Sequence, residues 1–170
     1  PLIEHASAEL DKLIAPKVIT AAKGKIKAIT IGVDLKHYDE DDPNSLPHAE
    51  LVAVLDVGSG KVVAWTGKSY PVGFQARKLV HVADLKTHLV DVAGERVLVL
   101  GCHDLNMFNS RGKERCGPDA PRLVRSEEMA RLVRRFKPTV VLHHPHQTDS
   151  PRIWSNGWSG LLGSAPTSPL

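Results

Sequence analysis

Cysteine, aromatic residues, long apolar runs and any strong excess of one charge are all scarce in this 170-residue chain. Two cysteines, Cys102 and Cys116, give no disulfide framework. A reducing, cytoplasmic setting is therefore the expectation. Aromatics make up 5% of the residues, so the core must rest on Val, Leu, Ile and Ala. No apolar stretch approaches the roughly 18 residues that span a bilayer, and no signal peptide opens the chain, so no membrane partner is expected. The formal charge of +3 and pI near 9.0 are only mildly basic. They allow an anionic partner but fall short of a polybasic nucleic-acid footprint.

What is present is ordinary soluble composition: 42% hydrophobic and 24% charged residues, in a length suited to one domain. Residues 1–24 read as a helical or linker segment, 25–162 as a single α/β domain and 163–170 as a flexible tail. A chain running from Pro1 to a Ser/Pro/Gly stretch reads as a piece of a longer polypeptide that carries other domains.

Local patterns set the element order. "SAELDKLIA" (7–15) has helical spacing with Ser7 as N-cap. Strands are expected at 25–35, 49–57 and 61–70, the last two joined as a hairpin through Gly58-Ser59-Gly60. The "GSGK" there is no phosphate loop: Leu55 stands where its first glycine belongs, and Val62 replaces the Ser/Thr. Residues 74–94 show near-helical spacing closed by Gly94, although "KLVHVAD" within them fits a strand equally well. "ERVLVLGC" (95–102) is a continuous apolar run, the mark of a strand covered on both faces. The helix at 121–137 places Met129, Leu132, Val133 and Phe136 on one stripe, and 139–143 is a further buried strand. The fold class that follows is α/β: a mixed sheet with an N-terminal β-hairpin and a C-terminal parallel βαβ unit, helices on both faces.

Both strands of that βαβ unit end in polar clusters, "CHD" and "HHPHQTD", at the carboxyl edge where open α/β sheets bind ligands. Side by side, they would gather His103, Asp104, His144, His146 and Asp149. Imidazole with carboxylate suits a divalent metal ion (Mn²⁺, Zn²⁺ or Mg²⁺, the first two best matched to nitrogen ligands). His144 and His146 alternate and can chelate from one extended segment, while His143 points to the opposite face. Asp149 is either a ligand or the partner that orients an imidazole. The plainer alternative is a set of turn histidines with a capping aspartate.

An acid on the first strand (Asp34), another ending the fourth (Asp104) and this element order resemble the ribonuclease H-like nuclease superfamily over residues 26–150. The resemblance implies divalent metals bound by acids on those strands and by a later Asp or His, here His146 or Asp149, for phosphodiester cleavage. This chain departs from the pattern in its many histidines and in having Asp84 rather than a glutamate as the nearest acid on the first helix. The "HPHQTD" run also looks like the H-x-H-x-D-H signature of metallo-β-lactamase-fold hydrolases, with the Asp one residue late and Ser150 in place of the last His.

The function expected is a metal-dependent hydrolase of phosphodiesters, with Asp34, Asp104 and His146 catalytic and Arg111 and Arg115 neutralising phosphate. Nucleic acid or a nucleotide is the expected partner. A non-catalytic nucleotide- or nucleic-acid-binding module would use the same edge. Cys102 beside an imidazole offers a third chemistry, a thiolate nucleophile, against its ordinary role as a small buried hydrophobe. The arginines of the 121–137 helix could grip phosphate or simply form its wet face. Trp154 and Trp158, four apart, suit core packing or the stacking of a base.

Overall fold

A computed structural model describes residues 2–13, 16–36, 48–70, 79–109, 121–145 and 151–164. Two N-terminal helices, α1 (Leu2–Leu13) and α2 (Pro16–Ala22), precede strands β1 (Ala28–Lys36), β2 (His48–Asp56) and β3 (Lys61–Gly67). A 3₁₀ turn (Leu85–His88) leads into β4 (Leu89–Val92) and β5 (Glu95–Leu100). A second 3₁₀ turn (Asp104–Phe108), α3 (Pro121–Phe136), β6 (Val140–His143) and α4 (Pro151–Ser164) complete the order.

The α/β class, the early hairpin and the parallel βαβ unit are all present. The six strands divide between two sheets, β1-β2-β3 and β4-β5-β6. In the first sheet every pairing is antiparallel. In the second, β4 and β5 form a hairpin, and β6 pairs parallel to β5 from Val97↔Val140 to Leu100↔His143.

Side-chain parity explains why two sheets form. In β2, Leu51, Val52, Ala53, Val54 and Leu55 are all buried, so both faces of the strand need cover. The odd face, with Ala49 and Leu51, packs on Ala6 of α1 with Val33 and Trp65 beside it. The even face, Val52 and Val54, meets Val90, Val92, Val97 and Val99 of the second sheet, with Leu142 alongside. The opposite side of β5, Leu98 and Leu100, packs on Met129 and Val133 of α3, Leu161 of α4 and the turn residues Leu85, Leu105, Met107 and Phe108. The order is thus helix, sheet, sheet, helices. Each fully buried Val or Leu in these layers contributes about 1.5–3 kcal/mol.

Two local expectations change. Ser7 is not an N-cap, because α1 begins at Leu2 and carries it inside the helix. The helix expected over 74–94 is replaced, within the described residues, by the 3₁₀ turn and β4. Asp84 caps that turn by accepting from Lys86 N–H at 2.9 Å. Val90 and Val92 then alternate inward, and Ala93 and Gly94 take φ of 54° and 83° as a primed two-residue hairpin turn. Gly94 is thus a hairpin residue rather than a helix cap. Residues 74–78 of that expected helix lie outside the described residues.

The first hairpin turns at 57–60, where Asp56 accepts from Ser59 N–H at 2.9 Å and Gly60 adopts φ 68°. Hydrogen bonds from the Ser59 side chain first, and then from its backbone amide, hold the Asp56 carboxyl below its ordinary range. A depressed carboxyl stabilises the fold above its unfolded pKa and loses that contribution as pH falls through the folded value. Asp56→Ala is therefore expected to be less stable than the parent above the ordinary carboxylate range, with the gap closing as pH falls below it. Urea unfolding of both proteins across that range measures it, and a gap that is constant with pH would remove the turn carboxylate as its cause.

Candidate functional site

The carboxyl ends of β5 and β6 open on the gap between the sheets. His144 continues the β5–β6 pairing, its N–H donating to Leu100 O at 2.9 Å. It shares parity with Leu142, so its ring turns toward the first sheet and its Nε2 lies 2.9 Å from Thr30 Oγ1. Gly32 lies beside the ring: a Cβ there would be in ordinary contact with His144 Nδ1, at 3.6 Å. The cleft so formed has a volume of about 290 Å³, and its polar lining residues are Asp34, Glu50, Cys102, His143 and His144. Asp34 and Glu50 are direct cross-strand partners on one face of the β1–β2 pair.

His143 faces the other way, as its parity demands. Its Nε2–H donates to Cys102 O at 2.9 Å, and its ring stands edge-on to Trp154 and Trp158 of α4 at 5.0 and 6.1 Å. The tryptophans are therefore packing residues that brace the histidine behind the cleft. Cys102 is buried, 6% exposed, and lines the cleft.

Asp104 takes a different part from the ligand or base expected of it. It is fully buried, is absent from the cleft lining, and accepts three backbone amides: Ser69 and Tyr70 on Oδ1 at 2.8 and 2.7 Å, and Gly101 on Oδ2 at 2.9 Å. It ties the end of β5 to the segment leaving β3. Its neighbour His103 is half-buried and likewise absent from the lining. His146, Asp149, Arg111 and Arg115 lie outside the described residues. Among the described residues no group of three or more His, Cys, Asp or Glu stands ready to hold a metal. Arg125 is committed to structure, with Nε donating to Ser69 O at 2.8 Å and Nη2 to Val82 O and Ala83 O.

Two features escaped the sequence reading. Ser69 Oγ and His88 Nε2 are 2.6 Å apart, which suggests a serine nucleophile and its base. The geometry argues otherwise. His88 Nδ1–H donates to Val99 O at 2.6 Å, Asp104 approaches the other ring nitrogen at 3.9 Å, and both Ser69 and His88 are completely buried. The Ser69 hydroxyl also donates to Val82 O at 3.1 Å, and through His88 the pair fastens the segment leaving β3 to the turn before β4 and to β5. The second feature is the ion pair of Lys68 Nζ with the cleft residue Glu50, at 3.0 Å from its Oε1. Its one sequence signal is Glu50 itself, a charge in phase with the inward Val52 and Val54.

No family model, curated protein or solved structure matches this chain. Among the described residues no helix is long and apolar enough to cross a membrane.

Proposed function

We propose that the cleft is the site of a metal-dependent hydrolase acting on phosphodiesters. One observation carries the reading. The described lining holds Asp34, Glu50, Cys102, His143 and His144 and no lysine or arginine; Lys68, from behind that lining, offsets the charge of Glu50, so the Asp34 carboxylate sets the sign of the wall. A phosphodiester anion about 5 Å from that carboxylate meets a repulsion on the order of 3 kcal/mol at an effective dielectric near 20. A bridging divalent cation reverses that sign, so metal-assisted hydrolysis suits these walls better than a site that grips an anion unaided.

The donors suit a borderline divalent ion: His144 nitrogen and Asp34 oxygen. His146 and Asp149, close behind His144 in the chain, would complete the set. When bound, such a metal supplies a water whose pKa falls towards about 7 and polarises the phosphoryl oxygen. Thr30 fixes the His144 ring, and the strand pairing at Leu100 fixes its backbone. Arg111 and Arg115, which follow Asn109 in the sequence, would neutralise phosphate charge.

Cys102 gives a second reading a specific footing, because its thiol lines the same cleft as His144. Hydrolysis of bis(p-nitrophenyl) phosphate with Mn²⁺, Zn²⁺ or Mg²⁺ tests both. The parent is expected to turn over with metal and to stop in chelator. His144→Ala and Asp34→Asn are expected to lose about 100-fold or more in kcat/KM. Full turnover in both variants overturns the proposal. Chelator-resistant hydrolysis abolished by Cys102→Ala would assign the cleft to thiol chemistry, and tight oligonucleotide binding without turnover would assign it to a binding module.

A further inference from the structure

We infer that Glu50 is a working carboxylate of this cleft and that Lys68 is its positioning residue, an inference that rests on the hydrolytic reading. Glu50 lines the cleft, yet its side chain is only 11% exposed, and that of Lys68 is 1% exposed. Burying two charges costs several kcal/mol per ion before their attraction is counted, and an apolar pair of similar volume is often as stable or more so. Stability therefore gives no reason for the pair, whereas fixing a carboxylate at the cleft does.

The backbone is built around that fixing. Lys68 N–H donates to Glu50 O at 2.8 Å while its ammonium reaches Oε1, so one residue holds Glu50 at both ends. Lys68 O in turn accepts from Val82 N–H at 3.0 Å. Gly67 lets the segment lie against β2: a Cβ there would collide with Glu50 O. On the facing side, Gly101 packs so tightly on Lys68 that a Cβ would be 2.9 Å from its Cα. Glu50 also stands directly across from Asp34, a like-charged pairing that is unfavourable by itself and that the Lys68 cation offsets.

In the reaction Glu50 accepts a hydrogen bond from the attacking water. The water oxygen forms the new P–O bond as its proton passes to the Glu50 carboxylate. The ester P–O bond breaks with its electron pair on the departing oxygen, which then takes that proton and leaves Glu50 ionised beside Lys68.

The test uses the purified chain, Mn²⁺ and bis(p-nitrophenyl) phosphate, with kcat referred to the folded fraction from circular dichroism. Glu50→Gln is expected to lower kcat about 100-fold or more while KM stays within about threefold. Lys68→Met is expected to lower kcat about tenfold, and Lys68→Arg to restore part of that loss. The Glu50→Leu/Lys68→Met double variant replaces the ion pair with apolar volume and guards against misfolding; it is expected to fold and to be inactive. Parental turnover in folded Glu50→Gln or in the folded double variant overturns the inference while the hydrolytic reading stands. A parent with no metal-dependent turnover overturns both.

Discussion

Replacing Gly160 with alanine is expected to lower the stability of this protein by about 3 kcal/mol or more, a drop of about 6–12 °C in Tm at this chain length. Gly160 and Gly157 lie one turn apart on α4, where the helix crosses the 3₁₀ turn Asp104–Phe108. A Cβ at Gly160 would collide with Phe108 O and lie 2.9 Å from Phe108 C. At Gly157 it would come within 2.7 Å of Leu105 Cγ and 3.0 Å of Leu105 O. A carbonyl in a packed turn cannot move aside as a side-chain tip can, so the helix itself must back away. Trp154 and Trp158 would then leave His143, and with them the brace behind Cys102. Gly163→Ala is the internal control. Nothing lies within 4 Å of a Cβ there, and the exposed helical site should gain up to about 1 kcal/mol in helix propensity. Chemical unfolding of the two variants measures the contrast, and equal effects would show that α4 does not need this close approach.

Asp104→Asn is the second large effect, at about 2–4 kcal/mol. The aspartate oxygens together accept from Ser69, Tyr70 and Gly101 amides. An asparagine keeps one oxygen and turns an NH₂ toward at least one of those N–H groups, leaving buried donors facing each other. The variant should lower the unfolding midpoint while the folded fraction keeps a kcat close to that of the parent. A folded Asp104→Asn protein with parental stability and lost turnover would return this residue to the catalytic set.

These two residues mark how far the sequence could be read. The continuous apolar run at 95–100, the amphipathic stripe of α3 and the apolar strand after Pro138 were legible, because each is a periodicity that any cover on those faces would satisfy. The hairpin at Gly58–Gly60 was legible because its turn chemistry is local. The stretch before Gly94 shows the opposite: near-helical spacing of Leu79, Val80, Ala83, Leu89 and Val90 conceals an alternation of Val90 and Val92 that counts only once a second sheet faces it. Of the residues expected at the site from strand-end position, Asp34 and His144 line one cleft. Asp104 carried the same signature, an acid just past a strand. Its environment differs, because the chain leaving β3 returns across Gly101 and presents amides to it.

Sequence by itself determined the α/β class, the hairpin turn at Gly58–Gly60, the parity that sends His143 and His144 to opposite faces, and the parallel pairing of β5 with β6. All of these depend on backbone geometry and nearest neighbours. Tertiary structure alone decided that the strands part into two sheets, that Ala93-Gly94 is a hairpin turn, that Lys68 meets Glu50 behind the cleft lining, and that Asp104 and the Ser69–His88 pair serve as fasteners. Those outcomes depend on which buried polar groups meet across distances of tens of residues. A buried carboxylate or imidazole takes whatever donor or acceptor the fold brings within about 3 Å.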